Sequence, residues 1–182
     1  MQLALERATG RAKLEEFIEA LDLKYFTAAE LLIHTDRPWN ALPPSELWPN
    51  IAPTAKLLDE VREHFARPVV ITSCYRAPDY NRRIGGAPLS QHQAFTAVDF
   101  AVSGVPPKRV AAFLRGLREG GHWIDLPEHP KRMRLYAPAG PVPFAELPTR
   151  ASGGPAVRFA GGVAAYPSFT HLDTRGLNAN WG

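Results

Sequence analysis

The stretch Ser90-Gln91-His92-Gln93-Ala94-Phe95-Thr96-Ala97-Val98-Asp99 decides how this chain is read, because it sets an imidazole and a carboxylate seven positions apart just beyond a turn. Gly85-Gly86-Ala87-Pro88 is the loop that delivers Ser90 and His92. Ala97 to Val102 is apolar enough for a strand that would hold Asp99 on rigid backbone. A second imidazole stands far downstream in Phe169-Thr170-His171-Leu172-Asp173, an alternating run that puts His171 and Asp173 on one strand face. Two histidines and one carboxylate, His92, Asp99 and His171, offer the donors of a catalytic zinc site that keeps its fourth position open. Iron oxygenases use a similar donor set, and the His-x-Asp order at His171 and Asp173 looks like their first two ligands. They need a further histidine downstream, and none follows Asp173. Zn2+ is therefore the expected metal.

Working outward, Val69 to Ser73 is β-branched and follows Pro68, which predicts a buried strand, with a turn at Arg76-Ala77-Pro78-Asp79. Upstream, Ala55, Leu58, Val61 and Phe65 mark a helix from Pro53 to Phe65 that Arg67-Pro68 ends. Leu14, Phe17, Ile18 and Leu21 predict an amphipathic helix over 13–21. Thr27 and Glu30 have capping-box spacing at the start of a second short helix. Pro38, Pro43, Pro44 and Pro49 predict an irregular passage, with Trp39 and Trp48 as covers for the core. Downstream, Pro106 to Leu117 reads as a helix opened by proline. Val157 to Tyr166 and Ser168 to Asp173 read as two short strands joined near Pro167. Residues 120–154, rich in Pro and Gly and carrying the basic run Lys131-Arg132-Met133-Arg134, read as a loop-rich insertion that includes a hairpin.

The chain has 182 residues, 45% of them hydrophobic, which is the size of one domain with a sizeable core. One domain over 1–182 and a single acting copy are expected. A formal charge of +3, with basic and acidic residues interspersed, suits an anionic polymer such as a cell wall and is too weak to argue for nucleic acid. A single cysteine, Cys74, excludes an internal disulfide and a four-cysteine zinc knuckle. Met1 to Leu21 lacks the apolar core of a signal peptide, and no stretch approaches the ~20 apolar residues of a membrane span. The chain is expected to be made in the cytoplasm. It would then act at the cell wall or periplasm after release, or travel in a phage-like particle.

The segments Val70 to Asn81, Ile84 to His92, Ala97-Val98-Asp99 and Phe169 to Asp173 together resemble the D-alanyl-D-alanine carboxypeptidase family of zinc peptidoglycan peptidases. The likeness reaches upstream to Phe26 to Leu31 and Asn40-Ala41-Leu42-Pro43, as in phage and prophage members, and misses 120–154. The resemblance implies an α+β fold of the hedgehog/DD-peptidase kind, a small antiparallel sheet flanked by helices. It also implies hydrolysis of a D-alanine-containing peptide of peptidoglycan. His92, Asp99 and His171 match the zinc ligands. Arg76 matches an arginine that holds the substrate carbonyl or carboxylate, work suited to a planar fork of donors. Ser90 would orient the loop or a ligand. Tyr75 packs over the site or in the core.

Two departures from that family stand out. Phe95 occupies a glycine position, which would narrow the pocket or shift its loop. The family's general base, an acid or histidine two or three residues before the last ligand, is replaced by Phe169 and Ser168. Asp173 is the nearest substitute, taking a proton or bracing a neighbour. The same departures feed a rival expectation, a non-catalytic wall-binding or particle-structural module that retains the fold. In a third, the basic insertion docks a partner protein.

Overall fold

The computed structural model describes residues 2–127, 136–137, 140–141 and 156–181. The protein is mixed α+β, with a small, mainly antiparallel sheet flanked by helices. Helix α1 (Gln2–Glu19) is longer than the sequence pattern predicts, and it buries Leu14 and Ile18. Helix α2 (Ala28–Leu31) begins with the expected capping box, the Thr27 amide donating to Glu30 Oε2 at 2.9 Å. A 3-10 turn, Ser45–Ile51, leads into α3 (Ala52–Phe65), whose buried face carries Ala55, Leu57, Leu58 and Val61. Each such Leu or Val contributes about 1.5–3 kcal/mol when withdrawn from water. The helix stops where Ala66 turns left-handed, at φ 49°.

Strand β1 (Val69–Ser73) follows, then the short α4 (Pro78–Arg83) where only a turn is predicted, then a 3-10 turn at Gln91–Ala94 and β2 (Ala97–Val102). Helix α5 (Pro107–Glu119) crosses to β3 (Trp123–Asp125). The two-residue strands β4 (Tyr136–Ala137) and β5 (Gly140–Pro141) pair antiparallel within the expected insertion, while 128–135, with its basic run, 138–139 and 142–155 lie outside the described residues. The final strands are β6 (Ala156–Arg158), β7 (Gly162–Ala165), β8 (Thr170–Asp173) and β9 (Ala179–Trp181).

The main sheet runs β1-β2-β8-β7-β9, antiparallel except for the β7–β9 pair. Val98, Phe100, Val163 and Leu172 face the core with the buried residues of α3 and α5, and the opposite face carries Asp99, His171 and Asp173. Three expectations are corrected. β1 is an edge strand, so its residues alternate and Val70 is 58% exposed rather than buried. The span 157–166 is two strands, because Gly161 and Gly162 cross tightly over β8; a Cβ at Gly161 would lie 1.8 Å from the Asp173 carbonyl oxygen. Trp39 is no core cover: it is 60% exposed, and the Arg83 guanidinium stacks 3.9 Å from its ring centre. Trp48 is packed as expected, half-buried against Phe17.

Candidate metal centre

Cross-strand register builds the site. Asp99 on β2 pairs with His171 on β8, and His171 pairs with Ala164 on β7. Directly paired residues point to the same face, so the two candidate ligands meet although 72 positions separate them. On the other side of Asp99 an irregularity at Thr72 lets Ser73, rather than Thr72, pair with Asp99. Ser73 Oγ then accepts a bond from Arg76 Nε at 2.8 Å. His92 arrives from the 3-10 turn. Ser90 caps that turn by accepting the His92 amide at 3.4 Å.

His92, Asp99 and His171 each offer one ligand atom, and these atoms all lie within 4.8 Å of one another. All three residues are buried. His92 Nδ1–H donates to the Cys74 carbonyl at 2.6 Å, which turns Nε2 toward Asp99 Oδ2, 3.2 Å away. His171 Nδ1 lies 2.8 Å from Asp99 Oδ1, and its Nε2 lies 3.0 Å from Asp173 Oδ2. Arg76 Nη2 reaches Asp99 Oδ2 at 2.5 Å. Burial opposes the charge on Asp99, but its close contacts with the His171 and His92 imidazoles outweigh it and hold the carboxyl well below the usual range. Burial lowers the His92 pKa, with Asp99 only partly offsetting it, so its imidazole stays neutral and free to ligate. Burial works in the same direction on His171, yet the bonds to Asp173 and Asp99 raise it overall. The Cys74 thiol is pushed far up by burial, which keeps it protonated and removes it as a thiolate ligand.

The three residues open onto a cleft of about 490 Å³, also lined by Arg76, Leu89, Tyr166, Phe169, Arg175 and Trp181. Asp99 is the one carboxylate among the described residues that line it. The family model described as Peptidase M15 matches residues 24–129. The chain belongs to the peptidase M15 family. No curated protein and no solved structure matches it. The match to the M15 family contains Arg76, Ser90, His92 and Asp99 and ends before His171, so the third candidate ligand joins them through the fold. Peptidases of the M15 family are typically zinc-dependent, and the residues present fit that metal. Two imidazole nitrogens and one carboxylate oxygen are zinc's preferred donors, and the Cys74 carbonyl already selects the His92 tautomer with a free Nε2.

Other sequence expectations meet particular outcomes. Phe95 neither narrows the cleft nor lines it: at φ 57° it holds the left-handed backbone that suits glycine, and its ring turns wholly into the core against Tyr75. Tyr75 is that core partner and covers no part of the site. Asp173, expected from sequence either to take a proton or to brace a neighbour, has no exposed surface and is absent from the cleft lining. Arg175 and Trp181 were not singled out from sequence. Arg175 had a faint signal, lying two positions beyond Asp173, whereas Trp181 reaches His171 only because β9 joins the sheet.

Proposed function

We propose that this M15 family member is a zinc-dependent peptidase that cleaves a peptide bond in peptidoglycan stem peptides or cross-links involving D-alanine. His92, Asp99 and His171 would hold the ion. The observation that carries the reading is the convergence of these three buried donors on one cleft beside a guanidinium.

When bound, zinc supplies the Lewis acidity that lowers the pKa of water toward ~7 and polarises a carbonyl. The chain's own residues do the rest. Arg76 is held by Asp99 and by Ser73 on one side of the cleft, where its guanidinium positions the substrate carbonyl or carboxylate by charge-assisted hydrogen bonds. Burial of His92, Asp99 and His171 keeps solvent from competing for the donors, which strengthens every polar contact made there. Tyr166 and Phe169, stacked at 4.5 Å, and Leu89 form apolar walls suited to small aliphatic side chains such as alanine.

The test is to strip the protein of metal, restore zinc and measure product release from purified muropeptides. Stoichiometric zinc uptake with zinc-dependent cleavage is expected. Full loading without cleavage of any stem peptide or cross-link would remove the enzyme reading. The rival, a wall-binding or particle-structural module retaining the metal site, is favoured by two observations. Ser168 stands exposed where the resembled family carries its base, and no unengaged carboxylate lines the cleft among the described residues. Binding to insoluble peptidoglycan in the absence of cleavage would select it.

A further inference from the structure

We infer that Asp173 and Arg175 form a clamp behind His171 that orients this candidate ligand, so that Asp173 serves the site as a positioning residue rather than as its proton acceptor. The inference rests on the zinc reading above.

Asp173 is fully buried, yet both its oxygens are occupied. Oδ1 accepts from the Gly162 amide at 3.0 Å, from the Arg175 amide at 3.2 Å and from Arg175 Nε at 2.8 Å. Oδ2 accepts from His171 Nε2 at 3.0 Å and from Arg175 Nη2 at 2.5 Å. A general base must reach the proton it abstracts, directly or through one water. Asp173 instead touches the Nε2 edge of His171, while the Nδ1 edge faces Asp99 and the cleft. A carboxylate accepting Nε2–H fixes the ring in the tautomer whose Nδ1 lone pair is free, and it raises the basicity of that nitrogen. This is the counterpart of the Cys74 carbonyl on His92 Nδ1, with the two ring nitrogens exchanged.

Arg175 makes the clamp rigid. Its fork grips both oxygens of Asp173, and its guanidinium lies 5.2 Å from the centre of the Trp181 ring, which in turn lies 5.3 Å from that of His171. The space is closely fitted: a Cβ at Gly162 would fall 2.4 Å from Asp173 Oδ2 and 2.7 Å from the Trp181 ring. No alanine fits at Gly162 without displacing the clamp.

The experiment compares the unaltered protein with D173N, R175Q and G162A. It reads zinc affinity by competition with a chromophoric chelator, the visible spectrum of the cobalt-loaded protein, and muropeptide hydrolysis at saturating zinc. Loss of a partner that orients a ligand is expected to weaken zinc about 10–100-fold in D173N. R175Q and G162A are expected to weaken it about 3–10-fold by loosening the same carboxylate. Each variant should alter the cobalt spectrum, and hydrolysis by D173N at saturating zinc should fall by no more than about 100-fold. Unchanged zinc affinity and cobalt spectrum in all three variants would overturn the clamp. So would a D173N protein that keeps both but loses hydrolysis about 10³-fold, the mark of a proton acceptor. Should D173N fail to fold, R175Q, altered at a half-buried residue, decides by the same zinc and cobalt readings. Failure of the unaltered protein to take up zinc would sink the zinc reading itself, a separate result.

Discussion

The two parts of the chain that build the site differ in how they present their residues. Residues 24–129 carry the family match and contribute His92 from a turn, its ring held by the Cys74 carbonyl, and Asp99 from a strand. Residues 156–181 lie beyond the match, and their contribution, His171 with Asp173 and Arg175 behind it, comes from an ordinary alternating strand and its exit. The first part is recognisable piece by piece, whereas the second acquires its meaning from the strand it pairs with. Both parts are tied to α3 through Thr54. Its hydroxyl donates to the Thr96 carbonyl at 2.7 Å and lies 2.8 Å from the Thr174 hydroxyl, joining the entry of β2 to the exit of β8.

The strongest way to break this comparison is to remove one histidine from each part. H92A and H171A are both expected to lose stoichiometric zinc and to reduce muropeptide hydrolysis by about 10³-fold or more, since a two-donor site holds zinc poorly. Retention of zinc and activity by H171A, measured by dialysis and product release, would show that 24–129 suffices alone. Next in size is F95A. Deleting a buried ring costs about 3–5 kcal/mol, while the left-handed backbone still disfavours the new Cβ. A loss of about 3–5 kcal/mol in urea unfolding with zinc affinity unchanged would place Phe95 in the scaffold. A fall in zinc affinity would instead tie it to the site.

T54V sharpens the link between the parts. It takes the Thr54 partner from the buried Thr174 hydroxyl and leaves the Thr96 carbonyl with the Thr174 amide alone, at a cost of about 1–3 kcal/mol. Chemical unfolding of the metal-free protein reads the loss, and because the hydroxyl bridges both halves, a single cooperative transition should persist. The smallest effect is expected for T27A, which removes the side-chain part of a surface capping box and costs about 1 kcal/mol, seen as a lower urea midpoint with no change in zinc binding.

Much of the fold was legible because its signals are local. The capping box at Thr27, the apolar spacing of α3, the strand around Asp99 and the helix after Pro106 each depend on residues within a turn or two of one another. Phe95 was readable as an anomaly but not in its outcome, because whether a large side chain at a left-handed position enters a cleft or a core depends on the space Tyr75 leaves for it. Strand β9 was missed since three residues ending at Trp181 carry no periodic signal. Arg118 on α5 helps hold it there, donating to the Ala179 carbonyl at 3.2 Å and to Asn180 Oδ1 at 2.7 Å.

The sequence by itself supplied the candidate donors, since the kinds and order of His92, Asp99 and His171 are chemical facts of the chain, and local periodicity marked most of its helices and strands. Only the tertiary structure decided which of the polar residues face one another. The pairing of Asp99 with His171, the irregularity that brings Ser73 to Arg76, and the burial of Asp173 behind its histidine all follow from strand register. Register is a non-local quantity: a shift of one residue would send every one of these side chains to the opposite face of the sheet.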